Sequence, residues 1–124
     1  MILDAGFLIP VDRGERLAQE FLTAALVYET PLTTTHPVVA QVWRDGARHA
    51  RLARFLQSVV VFAFDDGPEV GNLLARSGTS DVVDAHLVMM AVRRSEPIST
   101  GDVHDLESLT AALRERRPHL LSWP

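Results

Sequence analysis

The chain of 124 residues is 47% hydrophobic and 23% charged, the balance of an ordinary globular protein long enough to bury a core. It holds no cysteine, which excludes disulfides and thiolate metal sites and favours an intracellular, cytoplasmic setting. A formal net charge of −4 argues against a general nucleic-acid sink, no apolar run reaches the length of about 20 residues that a membrane span needs, and without a basic leader no signal peptide is expected.

Residues 1–4 read as a short buried strand ending at Ala5-Gly6. Leu17, Ala18, Phe21, Leu22, Ala25 and Leu26 recur at helical spacing, which predicts a helix over 13–28. Thr30-Pro31 breaks it, and the β-branched Leu32-Thr33-Thr34-Thr35 predicts a second strand. His36-Pro37 opens a helix running to about Asp45, with proline tolerated in its first turn. Gly46 separates it from an arginine-rich helix at 47–57, and Val59 to Phe64 is a continuous apolar strand. Asp65-Asp66-Gly67-Pro68 turns into a helix over 69–77, and Ser77-Gly78-Thr79-Ser80 precedes a long apolar helix over 81–94. Residues 97–100 form the next strand, 103–116 another helix, and Leu120-Leu121-Ser122-Trp123 a closing edge strand. Apolar strands alternating with helices predict one α/β domain spanning 1–124, its parallel sheet covered on both faces.

Asp4 and Asp84 interrupt apolar segments, where a carboxylate costs several kcal/mol, at about that order, unless it is paired or bound to a cation. In open parallel sheets the functional crevice lies beyond the carboxyl ends of the strands. Asp4 closes the first strand, Asp102 follows the fourth, and Asp84 lies one turn into the preceding helix; they converge only if the first and fourth strands are neighbours. Carboxylates without cysteine or histidine suit Mg²⁺ or Mn²⁺ and phosphodiester hydrolysis by metal-activated water. Local capping competes with this reading. Asp102 and Asp105 have the spacing of a helix N-cap pair, and Asp105 alone suits a helix dipole. Asp81 reads as structural at its helix start, while solvation accounts for Asp12, Asp45, Asp65 and Asp66.

Arg44, Arg48 and Arg51 recur at i, i+4 and i+7, so on one helix they share a face suited to RNA phosphates; a merely solvated face has equal weight. Arg54 extends the row, and Trp43 and His49 lie nearby to stack on bases. Arg93, Arg94, Arg114, Arg116 and Arg117 suit helix C-termini.

Leu3-Asp4-Ala5-Gly6, Val83-Asp84-Ala85 and Ser99-Thr100-Gly101-Asp102-Val103-His104-Asp105-Leu106, in this order and spacing, resemble the PIN-domain family, and especially the small VapC-type toxin ribonucleases of toxin–antitoxin pairs. The resemblance spans essentially the whole chain. It implies a three-layer α/β/α sandwich with a central, mostly parallel sheet of about five strands, and a Mg²⁺- or Mn²⁺-dependent RNA endonuclease. Asp4, Asp84 and Asp102 would hold the metal, Asp105 would add charge at its margin, and Ser99 or Thr100 would support the site through a hydroxyl. A homodimer and a cognate antitoxin covering the crevice are further implications. One position departs from the family: the glutamate usual after the second strand is Gln41 here, within Pro37-Val38-Val39-Ala40-Gln41-Val42-Trp43-Arg44. A neutral amide orients water but lends the metal no charge, so the alternative is a catalytically degenerate PIN domain serving as an RNA-binding or protein-interaction module. A phosphoryl-transfer enzyme or phospho-receiver fits poorly, because Asp4 has no second acid two residues on and the chain has no lysine.

Overall fold

The computed structural model describes residues 1–124. Five short strands, β1 (Ile2–Leu3), β2 (Thr33–Thr35), β3 (Val60–Phe62), β4 (Ile98–Thr100) and β5 (Leu120–Ser122), form one sheet in the order β3-β2-β1-β4-β5. Every pairing is parallel: Ile2 sits opposite Thr33 and Ile98, and Leu3 opposite Ser99. The first and fourth strands are therefore neighbours, as convergence of the aspartates requires. The helices are α1 (Ala5–Arg13), α2 (Arg16–Val27), α3 (His36–Val42), α4 (Ala50–Leu56), α5 (Gly67–Ser77), α6 (Val82–Arg94) and α7 (Val103–Ala111). One group packs around α1 (α2, α3 and α4), while α5, α6 and α7 pack on one another. The sheet lies between them, in the expected three-layer sandwich.

The core is one cluster of 20 buried apolar residues. Ala85 to Ala91 of α6 are all buried, which is why this helix is apolar on nearly every side. The three threonines of β2 are buried too, and their hydroxyls are satisfied. Thr34 donates to the Leu3 carbonyl (2.8 Å), Thr33 to Glu96 Oε2 (2.9 Å), and Thr35 Oγ1 accepts from Val38 N–H (3.2 Å), capping α3. At the other edge, Phe7, Phe21 and Trp123 meet edge-to-face, with ring centroids 4.7 to 5.2 Å apart, a favourable geometry for aromatic quadrupoles. No helix is long and apolar enough to cross a membrane.

Several local expectations are corrected. The first strand passes straight into α1, a helix the sequence conceals behind Gly6 and the internal Pro10, both unfavourable within helices. Burial of Phe7, Leu8 and Val11 outweighs that propensity. The expected helix over 13–28 is shorter because Gly14, at φ +67°, terminates α1 in the left-handed region and Glu15 starts α2. The third helix stops at Val42, where Trp43 is extended, and Arg44 to His49 form a loop before α4. Arg44, Arg48 and Arg51 therefore do not share a helix face. The strand expected over 59–64 is paired only at Val60–Phe62, on the sheet edge, with Val60 57% exposed. The expected helix over 103–116 ends at Ala111.

Candidate functional site

The carboxyl ends of β1 and β4 deliver Asp4 and Asp102 side by side. Asp4 Oδ1 accepts from Phe7 N–H (3.3 Å), capping α1, while Oδ2 accepts from Gly101 N–H across the strands (3.1 Å). Asp102 caps α7 through Asp105 N–H (3.3 Å), and its own N–H donates to the Thr100 hydroxyl (3.0 Å). Of the two hydroxyls the resemblance offers, that of Thr100 makes these contacts. The close approach depends on Gly6: a Cβ there would lie 2.9 Å from Gly101 Cα and 3.1 Å from Asp4 Oδ1, inside van der Waals contact. A residue without a side chain lets α1 leave β1 directly beneath the β4–α7 turn.

Asp84 enters from α6. Its N–H donates to Asp81 Oδ1 (3.0 Å), which caps that helix. Burial, followed by the negative charges of Asp81, Asp105, Asp4 and Asp102, pushes the Asp84 carboxyl up to about 6 from its ordinary 3.8. Asp4 is also raised, chiefly by burial, against lowering by hydrogen bonds from Thr100, Gly101, Phe7 and Gly6. The structure thus brings Asp4, Asp84, Asp102 and Asp105 into one electrostatic neighbourhood and adds Asp81, which the sequence reading set aside as structural. The signal for Asp81 is its place three residues before Asp84, at the start of the same helix. Capping and clustering are not alternatives here. Asp4, Asp81 and Asp102 each cap a helix, and α1, α6 and α7 all begin beside the same crevice. Their positive dipole ends offset part of the like-charge repulsion. No arginine or histidine pairs with any of the five carboxylates.

This donor set of carboxylate oxygens without thiolate or imidazole fits a hard divalent cation, which would offset the burial and the like charges that together raise Asp84. In the side-chain positions present, no three His, Asp or Glu groups close on one cation position. Mg²⁺ sites characteristically retain several waters and use few protein carboxylates, so the arrangement suits an ion held partly through water.

Gln41, in the last turn of α3, is exposed and makes no hydrogen bond to the aspartates. It lines a cavity of about 350 Å³ with Asp12, Arg13, Arg44, Arg48 and His49. Arg51 lies elsewhere, against the α1–α2 turn, where its guanidinium abuts Gly14. Solvation does not account for Asp12 or Asp66. Asp12 accepts from His49 Nδ1 (2.7 Å) and Leu52 N–H (3.3 Å). Asp66 is buried, 2.9 Å from Arg93 Nη1 and 3.6 Å from His86 Nε2. Arg93 also pairs with Glu69, and burial holds fully enclosed His86 below its ordinary pKa against the pull of Asp66.

No family model and no curated protein matches the sequence. Among solved structures, the chain is similar to VapBC2 from Rickettsia felis bound to a DNA fragment from their promoter. That match has a TM-score of 0.71 at 14% identity, covering 99% of this chain and 98% of that one. It is also similar to PAE2754 from Pyrobaculum aerophilum, with a TM-score of 0.62 at 17% identity over 96% of this chain and 81% of that one. The chain has a PIN-like, VapC-like fold.

Proposed function

We propose that this chain is a divalent-metal-dependent RNA endonuclease, the toxin component of a toxin–antitoxin pair. The observation that carries the reading is the convergence of five unneutralised aspartates at the carboxyl ends of β1 and β4. Asp4, Asp84 and Asp102 would hold Mg²⁺ or Mn²⁺, directly or through water, with Asp105 and Asp81 adding charge at the margin. The bound cation supplies activation of the attacking water and neutralisation of the scissile phosphate. The Gly101 N–H and Thr100 hydroxyl fix the Asp4 carboxylate, and the three helix caps hold the crevice open around it. The likeness to VapBC2 supports an antitoxin partner and a cytoplasmic setting. The apolar and aromatic groups exposed on and after α2, Leu26, Val27 and Tyr28, support a homodimer or antitoxin contact. Arg44 and Arg48 are the remaining candidates for RNA contact, since Arg51 points to another surface.

Gln41 favours a second reading, a degenerate PIN domain that binds RNA or protein without cutting, because it is neutral and has no bond to the acidic group. Cleavage of single-stranded RNA with Mg²⁺ or Mn²⁺ separates the two. Metal-dependent cleavage, abolished in folded Asp4→Asn and Asp84→Asn, is the expected result; RNA binding without cleavage by the wild type would establish the degenerate module.

A further inference from the structure

None of the five aspartates lines the cavity between the second half of α1 and the α3–α4 loop. Arg13, Arg44 and Arg48 line it, with Gln41, Asp12 and His49. None of the three guanidiniums lies within ion-pair distance of a carboxylate. The one acid present, Asp12, is committed to His49 Nδ1 and Leu52 N–H, so it secures the loop to α1 and leaves the arginines uncompensated. Arg44 Nη1 is held over the end of α3 by the Trp43 and Ala40 carbonyls (2.8 and 3.3 Å), which fixes its place on the rim. Three arginines without a carboxylate partner around one cavity call for an anionic ligand with several oxygens.

We propose that this cavity is a phosphate subsite for single-stranded RNA, gripping a backbone phosphate away from the cleavage centre through Arg13, Arg44 and Arg48. The proposal rests on the endonuclease reading for the identity of the polymer. Helix α1 connects the two sites: Asp4 caps its start and Asp12 lies eight residues on, about 12 Å along the axis. The subsite therefore holds a phosphate other than the scissile one. Gln41 then belongs to substrate binding, which gives its neutrality a reason: a glutamate here would sit among the arginines and repel the phosphate.

The test is anisotropy of a fluorescein-labelled 12-nucleotide RNA on Asp84→Asn protein in chelator, with and without Arg13→Gln/Arg48→Gln. Both arginines are exposed, and a thermal melt confirms that the fold is retained. The site predicts at least about tenfold weaker binding and a log–log salt slope shallower by about 1.4, about 0.7 for each lost contact to a single strand. Unchanged affinity and slope, or no RNA binding in either protein, would overturn it. So would arginine-dependent binding of a polyglutamate peptide with no RNA binding, which would make the cavity a protein interface. Mn²⁺ titration of the Arg13→Gln/Arg48→Gln protein in an otherwise wild-type background judges the endonuclease reading separately, since that double substitution leaves the aspartates intact.

Discussion

Replacing Asp84 with asparagine removes charge from the crowded acidic crevice while preserving shape, and it should stabilise the metal-free protein. The folded carboxyl ionises at about 6 against an ordinary 3.8; at about 1.4 kcal/mol per pH unit the gap is worth at most about 3 kcal/mol. Asp84 is only half-buried, so solvent screening reduces this to about 1–2 kcal/mol. Asparagine also forfeits about 0.5 kcal/mol of attraction to the α6 N-terminus. The net gain is about 1 kcal/mol, or about 4 °C in Tm for a chain of this length. Because the folded state binds this proton more tightly than the unfolded chain, the wild type loses stability as pH rises from about 4 through about 6. Asp84→Asn should lack that loss, so its advantage grows across this window and is constant above it. Thermal unfolding in chelator from pH 4 to 8, followed by circular dichroism, reads the difference. A variant no more stable than wild type at pH 7.5 would refute the argument that burial and neighbouring charge make the ionised Asp84 costly. Added Mn²⁺ should reverse the order, since a ligand at 100 times its Kd stabilises the binding protein by about 2.7 kcal/mol.

Gly6→Ala should destabilise by about 1–3 kcal/mol, the range for overpacking, and abolish RNA cleavage, because its Cβ would press on Gly101 and Asp4; an unaltered denaturant midpoint would show that the turn yields freely. Arg93→Met should cost about 2–3 kcal/mol by urea unfolding, since it leaves buried Asp66 without its cation, with metal affinity unchanged. Gln41→Glu should leave Mn²⁺ affinity near wild type in calorimetry and weaken RNA binding, as its cavity lies among arginines; markedly tighter Mn²⁺ binding would place position 41 in the acidic site instead.

Asp4 and Asp84 were legible in the sequence because a charged residue in an apolar segment demands a reason, and Asp102 by its place after the fourth strand, whereas the spacing of Asp105 spoke only for a helix dipole and its place in the group came from the family resemblance. Asp81 was not legible, because its N-cap role already explained it and local spacing cannot show that three capped helices start beside one crevice. Helix α1 stayed hidden because Gly6 and Pro10 lower its propensity, while the tertiary contacts that outweigh them involve residues far along the chain. The arginine row failed for another reason. Its i, i+4, i+7 spacing assumes one continuous helix, but Trp43 is extended and Asp45-Gly46 falls within a loop. That loop instead carries Arg44 and Arg48 back against Arg13, a juxtaposition that depends on the Asp12–His49 contact across 37 residues. Asp66 looked like a turn residue because its partner Arg93 lies in another helix.

The most direct test of the central claim, that the five aspartates form a cation site, is calorimetric titration of Mn²⁺ into wild type and Asp84→Asn, both verified as folded. Saturable binding to the wild type that is lost in the variant is the predicted result. A folded wild type that binds no Mn²⁺, or equal binding by the variant, would contradict it.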